Sequence, residues 1–166
     1  MRRLIIFLFI SAIAVLAVPT MASAVNISCP TSTTMACDGT GGDDVMTGTS
    51  GQQDMYGWGG NDVLDARAAA DGLSGWDGAD YEEGDDGNDF IEGGQHDDEL
   101  HGGEGNDTLV GGSGNDKLYD ADGHVGDLIN GGNDVDIVCR GDWDDSSGEH
   151  DSITNCDGNV TWNHIP

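Results

Sequence analysis

The sequence predicts an all-β solenoid: short strands wound into coils that stack as two thin parallel sheets, capped at both ends. Three observations carry this. Residues 102–119 read GGEGNDTLV then GGSGNDKLY, two consecutive copies of Gly-Gly-x-Gly-x-Asp-x-(large apolar)-x. The same nine-residue register runs without a slip over residues 39–119. Gly makes up 28 of the 166 residues while Pro supplies only three, which excludes a collagen or a Pro-rich linker. A fixed period is the mark of a stacked architecture and takes precedence over local helix or strand preference.

The charge is the next constraint. There are 32 Asp and Glu against 5 Lys and Arg, a net charge of −27. Such a surface repels phosphate backbones, so nucleic acid is excluded as a partner. It attracts cations instead. Acids scattered without order would point to disorder, so their placement decides.

Export is expected from the first 24 residues. Arg2 and Arg3 form a basic start, an apolar run follows over 4–18, and Ala22-Ser23-Ala24 supplies an A-x-A cleavage signal. The run is shorter than the ~20 apolar residues of a membrane span. The expected organisation is a signal peptide over 1–24 cleaved near Ala24, an N-terminal cap over 25–38, a roll over 39–139, and a C-terminal cap and tail over 140–166. The mature chain is expected to be extracellular and without a membrane span. The Ser/Thr-rich middle of 25–38 reads as loop or hairpin.

Within the roll, blocks start at Gly39, Gly48, Gly57, Ala66, Gly75, Gly84, Gly93, Gly102 and Gly111. Four depart from the pattern: Gln53 replaces the Asp, Glu82 stands where an apolar residue belongs, His96 replaces a Gly, and ARAAADGLS keeps only Asp71 and Leu73. After Tyr119, Asp120 and Ala121 read as an insertion. The register then resumes as DGHVGDLIN and GGNDVDIVC, and SSGEHDSIT is a last degenerate block. Over these twelve blocks the sixth residue is Asp eleven times, and the eighth is apolar eleven times, from Met46 to Val138 and Ile153. Disorder and a helical bundle do not place residues this way.

One block reads as a turn and a short strand. Alternate strand residues face opposite sides, so the eighth residue faces inward while the seventh and ninth face out. Gly supplies the left-handed backbone angles of the turn. Two blocks close one coil, and residues eighteen apart become neighbours. The acids then sort into two ladders. One holds Asp44, Asp62, Asp80, Asp98 and Asp116, continued by Asp136; the other holds Gln53, Asp71, Asp89 and Asp107, continued by Asp127 and Asp151. Carboxylates at one coil spacing repel unless neutralised. Carboxylate and turn carbonyl oxygens together suit Ca²⁺, which takes six to eight oxygen ligands. Zn²⁺ would want Cys and His, which do not recur in the period.

These blocks resemble the calcium-binding nonapeptides of the RTX, or hemolysin-type, repeat family, and the chain is similar to its small members with an export signal. The resemblance covers 39–139 and implies a right-handed parallel β-roll with several Ca²⁺ ions between turns. It assigns the ligands to the sixth-position Asp and the turn carbonyls. Residue by residue, Asp62, Asp89, Asp107 and Asp116 match best, and Asp44, Asp80 and Asp98 come next, with Asp127 and Asp136 as continuations. The turn carbonyls fall to Gly57, Gly59, Gly84, Gly93, Gly102, Gly105, Gly111 and Gly114. Gln53 and the Gly-free turn 66–70 share an edge, so that edge is expected to lack well-formed sites until about Asp89, and the opposite edge to be filled from about Asp62.

Exposed solenoid ends need caps. Four cysteines allow three pairings; the expected one is sequential, Cys29–Cys37 and Cys139–Cys156, each stapling an end. Free or metal-bound thiols are the alternative. Trp58 and Trp76, eighteen apart, are expected to stack on one edge as aromatic cover or as a platform for a sugar ring, and Trp143 and Trp162 to pack in the end cap. The five His show no recurring ligand spacing, no nucleophile motif is present, and the chain is not expected to be an enzyme. The leading function is a secreted calcium-binding protein whose ions stabilise or trigger folding. The second is an extracellular adhesin or glycan binder, with a glycan or cell-surface component as partner. Ice binding would want a regular outward Thr ladder, which the third-position residues do not form.

Overall fold

The computed structural model describes residues 24–30, 36–120, 122–135, 138–142 and 149–165, and the backbone of 143 and 144. The expected signal segment up to residue 23, Asp136 and the Trp143 side chain lie outside the described residues. Fifteen strands follow in order: β1 (Asn26–Ser28), β2 (Cys37–Asp38), β3 (Val45–Thr47), β4 (Asp54–Gly59), β5 (Val63–Asp65), β6 (Gly72–Asp77), β7 (Tyr81–Asp86), β8 (Phe90–Gln95), β9 (Glu99–Glu104), β10 (Thr108–Ser113), β11 (Lys117–Tyr119), β12 (Leu128–Gly132), β13 (Val138–Asp144), β14 (Ser152–Thr154) and β15 (Asn159–Ile165). The chain alternates between two sheets. Odd-numbered strands form an eight-stranded sheet, β1-β3-β5-β7-β9-β11-β13-β15, and even-numbered strands a seven-stranded one, β14-β12-β10-β8-β6-β4-β2. Neighbours pair in parallel, and no helix occurs among the described residues. The predicted all-β solenoid is the observed fold.

The eighth residue of each block faces inward, as strand alternation requires. Met46, Leu64, Glu82, Leu100 and Leu118 make one buried column, and Met55, Leu73, Ile91, Leu109 and Ile129 the other. Seventh and ninth positions face out and stack along the axis. Tyr81, His101 and Tyr119 do so on the eight-stranded sheet, with ring centroids 5.2 and 4.8 Å apart.

The Ser/Thr-rich middle of the entry segment, 31–35, lies outside the described residues, while its flanks join the sheets: β1 pairs in parallel with β3 and β2 with β4, so Ile27 lies beside Met46 and Cys37 beside Met55. Two expectations change at the other end of the roll. Val138 is not the inward residue of its block. It pairs with Lys117, and Cys139 takes the core place beside Leu118. One extra residue in that coil shifts the strand, and the buried disulfide half-cystine fills the apolar slot. Asp120 is not inserted. Tyr119 pairs with both His101 and Arg140, which puts Asp120 in register with Gly102 and Gly141; the two extra residues fall in the turn before Asp127.

Both disulfides join inward columns. Cys29–Cys37 closes the first coil, with Cα atoms 5.4 Å apart, and Cys139–Cys156 the last, at 6.4 Å. The tail also joins the fold: β15 pairs in parallel with the whole of β13. There, Trp162 is half-buried and meets His150 edge-on, centroids 5.5 Å apart.

The turns explain the Gly pattern. Second and fourth positions hold positive φ, as at Gly103 (108°) and Gly105 (150°), where L side chains are strained. An added Cβ on Gly105 would overlap the carbonyl oxygen of Gly87 in the coil below. Gly105→Ala is therefore expected to push the two coils apart and cost at least about 2–3 kcal/mol. A lowered thermal midpoint in saturating calcium checks this; an unchanged midpoint refutes it.

Candidate metal centre

The functional side chains sit where a turn ends and a strand begins. Each sixth-position Asp folds back into the turn, and its two carboxyl oxygens do different things. Oδ1 accepts the backbone N–H of the equivalent residue one coil earlier. On one edge, Asp44 donates to Asp62 at 2.7 Å, Asp62 to Asp80 at 2.7 Å, Asp80 to Asp98 at 2.9 Å, and Asp98 to Asp116 at 3.0 Å. On the other, Gln53 donates to Asp71 at 2.6 Å, Asp71 to Asp89 and Asp89 to Asp107 at 2.7 Å, and Asp107 to Asp127 at 2.8 Å. These bonds join coil to coil in addition to the sheet ladders.

Oδ2 is left over. In Asp62, Asp71, Asp80, Asp89, Asp98, Asp107 and Asp127 it is buried and has no hydrogen-bond partner. Burying a polar oxygen this way costs roughly 1–3 kcal/mol each, so the seven together form a large unfavourable charge in the thin solenoid. In Asp62, Asp80, Asp89, Asp98 and Asp107 this oxygen faces the first Gly of its own block. The point that a Gly57 Cβ would take lies within 3.0 Å of both Asp62 Oδ2 and the Gly75 carbonyl oxygen. At Gly84 the Asp89 Oδ2 and the Gly102 carbonyl oxygen converge in the same way, the latter 2.5 Å off. At Gly111 it is Asp116 Oδ2 and the Gly131 carbonyl oxygen, and at Gly93 Asp98 Oδ2, 2.5 Å off. A carboxylate from one coil and a carbonyl from the next thus meet where any larger side chain would intrude. This donor set fits a hard cation bound by oxygen. Among the described residues no three His, Cys, Asp or Glu side chains form a preformed metal cluster, so carboxylate and backbone oxygens have to share the task.

The electrostatics agree. Burial pushes the Asp62 and Asp89 carboxyls up to about 7 and Asp98 to about 8, each partly offset by the amide that it accepts and raised further by its ladder neighbours. Asp71 and Asp80 rise to about 6 and Asp127 to about 7, again mainly from burial.

Not every sequence candidate occupies such a place. Asp44 Oδ2 already accepts the Thr40 amide at 2.6 Å and the Thr40 hydroxyl at 2.9 Å. Gln53 is satisfied too, its Oε1 by the Thr49 amide at 3.0 Å and its amide N–H by the Pro30 carbonyl at 3.2 Å. The first turns are thus closed by hydrogen bonds. Asp151 spends Oδ1 on the Gly126 and Asp127 amides and Oδ2 on the Asp142 amide. The block of Asp71 begins with Ala66 and so has no first-position Gly. Gly59 stands apart from the carboxylates, whereas Gly105 and Gly114 are fourth-position turn residues pressed against the coil below. Gly75, which is not among the sequence candidates, lies with the first-position glycines, and its place in the register is the signal that marks it. Trp58 and Trp76 do stack, centroids 5.3 Å apart and planes 21° apart, both about half exposed.

The RTX calcium-binding nonapeptide repeat matches the chain in four overlapping copies, over residues 38–73, 54–82, 74–109 and 83–118. No curated protein and no solved structure matches it.

Proposed function

For a chain whose residues 38–118 belong to the RTX calcium-binding nonapeptide repeat family, we propose the function of a secreted protein that binds several calcium ions between its coils and folds as it does so. One observation carries this reading: the row of buried Asp Oδ2 atoms without partners, those of Asp62, Asp80, Asp89, Asp98 and Asp107 turned toward a first-position Gly. A divalent cation supplies the positive charge that this arrangement lacks. Asp62, Asp80, Asp98 and Asp116 would hold ions along one edge, and Asp89, Asp107 and Asp127 along the other, together with carbonyl oxygens of glycines such as Gly75, Gly102 and Gly131. Asp44 and Gln53 contribute hydrogen bonds instead, so the ion rows start one coil in. The chain's own residues do the rest: the Oδ1 atoms fix each carboxylate by a backbone amide, and the Gly column keeps the space clear.

Export supports the same reading. The basic start, apolar run and A-x-A of residues 1–24 are the marks of a removable signal, and two disulfides suit an oxidising compartment. Calcium there reaches the millimolar range in which extracellular modules bind.

The mature oxidised protein is expected to show little strand signal in far-UV circular dichroism at neutral pH in excess chelator. It should gain that signal cooperatively on adding calcium, with several ions counted by titration calorimetry. Full strand content in chelator, or no calorimetric binding, refutes the reading.

A further inference from the structure

We infer that Asp120, a residue outside the nine-residue pattern, supplies a second carboxylate to the calcium site of Asp107, at the coil where the register breaks. The inference rests on the proposal that the roll binds calcium and adds a ligand that the repeat alone would not supply. Asp120 stands in a column that is otherwise Gly48, Ala66, Gly84, Gly102 and Gly141. It is 1 % exposed, and neither of its carboxyl oxygens has a hydrogen-bond partner. Its backbone is tied down, with the amide donating to the Arg140 carbonyl at 2.8 Å.

The geometry at Gly102 differs from that one coil earlier. At Gly84 the oxygen facing Asp89 Oδ2 is a backbone carbonyl, that of Gly102. At Gly102 it is a side chain: Asp107 Oδ2 and Asp120 Oδ1 each lie 2.7 Å from the point that a Gly102 Cβ would take. The two oxygens are therefore no further apart than twice that distance. Both are buried and without partners. Beyond Asp120, Asp127 Oδ2 is a third such oxygen, in the ladder directly after Asp107.

The neighbouring acids are otherwise engaged. Asp122 accepts the Gly105 amide at 3.1 Å and the His124 amide at 2.7 Å, and pairs with the His124 ring at 3.0 Å. Asp151 holds the Gly126, Asp127 and Asp142 amides. The side-chain donors are thus carboxylate oxygens, since Cys139 is locked in a disulfide. Two carboxylates at this separation, with a third behind, suit a divalent cation of calcium's preference for oxygen, and extra ligand charge tightens such a site. Asp107 and Asp127 are 20 residues apart where the regular ladder spacing is 18, so the break in the repeat follows directly on the added carboxylate.

The test uses the full mature oxidised protein, calcium as the probe, and native mass spectrometry with titration calorimetry. Asp120→Gly restores the residue of the column, and Asp120→Asn keeps the shape without the charge. Both are expected to fold in saturating calcium and to bind as many ions as the wild type, with one of them held about tenfold more weakly for want of the second carboxylate. The same number of ions at unchanged affinity in both variants overturns the assignment. Wild-type protein that binds no calcium overturns the underlying reading instead. Independently of any variant, a crystal of the wild type grown with calcium should show an ion between Asp107 Oδ2 and Asp120 Oδ1. Ions along the ladders with none there overturn the inference even if neither variant folds.

Discussion

Stripped of calcium, the protein is expected to hold its strands at about pH 4–5 and to lose them as the pH rises through about 6–8. The ladder carboxyls dictate this. In the folded chain Asp71 and Asp80 titrate at about 6, Asp62, Asp89 and Asp127 at about 7, and Asp98 at about 8, all above the 3.8 of an exposed Asp. A carboxyl raised in this way binds its proton more tightly folded than unfolded. Its contribution to stability is fully present below the unfolded value and is lost as the pH passes the folded one. Several such groups stacked coil on coil add in the same direction. Protons and calcium thus solve the same problem, one by neutralising each Oδ2 and the other by binding it. Far-UV circular dichroism of calcium-free protein against pH measures this. The transition should vanish when calcium is restored at neutral pH. Equal strand content at pH 5 and pH 8 without calcium would sink the argument.

The sequence disclosed this arrangement where the period is kept and concealed it where the period breaks. Two parallel sheets, two inward columns and two Asp ladders follow from a nine-residue register alone, because strand alternation and an eighteen-residue coil leave little else to decide. The division of labour within each carboxylate was hidden. That Oδ1 takes an amide and Oδ2 faces a Gly is a matter of side-chain rotation. Asp44 looks like its ladder mates, yet Thr40, four residues earlier, satisfies its second oxygen. The ends deceive for a different reason. A residue is recognised as inward by its distance from the last such residue, and one extra residue moves that place from Val138 to Cys139. Asp120 was concealed by the reverse effect: it sits in register, but an Asp in a Gly column resembles an insertion.

Glu82→Leu is expected to stabilise the roll by about 2–4 kcal/mol and to reduce its need for calcium. Glu82 occupies the inward place between Leu64 and Leu100, is 0 % exposed, and leaves both carboxyl oxygens without a well-formed hydrogen bond. Burial pushes its carboxyl well above the ordinary range, Asp80 and Asp98 push it further, and the nearby Gly75 amide offsets this only partially. Either the proton is retained or a charge is buried; both are costly next to an apolar side chain of similar volume. Leu continues the column already made by its two neighbours, so the exchange removes an unsatisfied pair of oxygens and adds apolar burial together. Glu82→Gln, which removes the charge and keeps the polar atoms, should gain less than Leu. Urea midpoints in calcium and in chelator measure both variants, and calorimetry should find the ion count unaltered, since Glu82 belongs to the core column and not to either ladder. A lower midpoint for the Leu variant, or a lost ion, would show instead that the Glu82 carboxylate reaches a metal from inside the roll. In that case the flaw in the core would be a ligand, and the calcium row along Asp80 and Asp98 would extend inward through Glu82, where the chain departs from the apolar pattern.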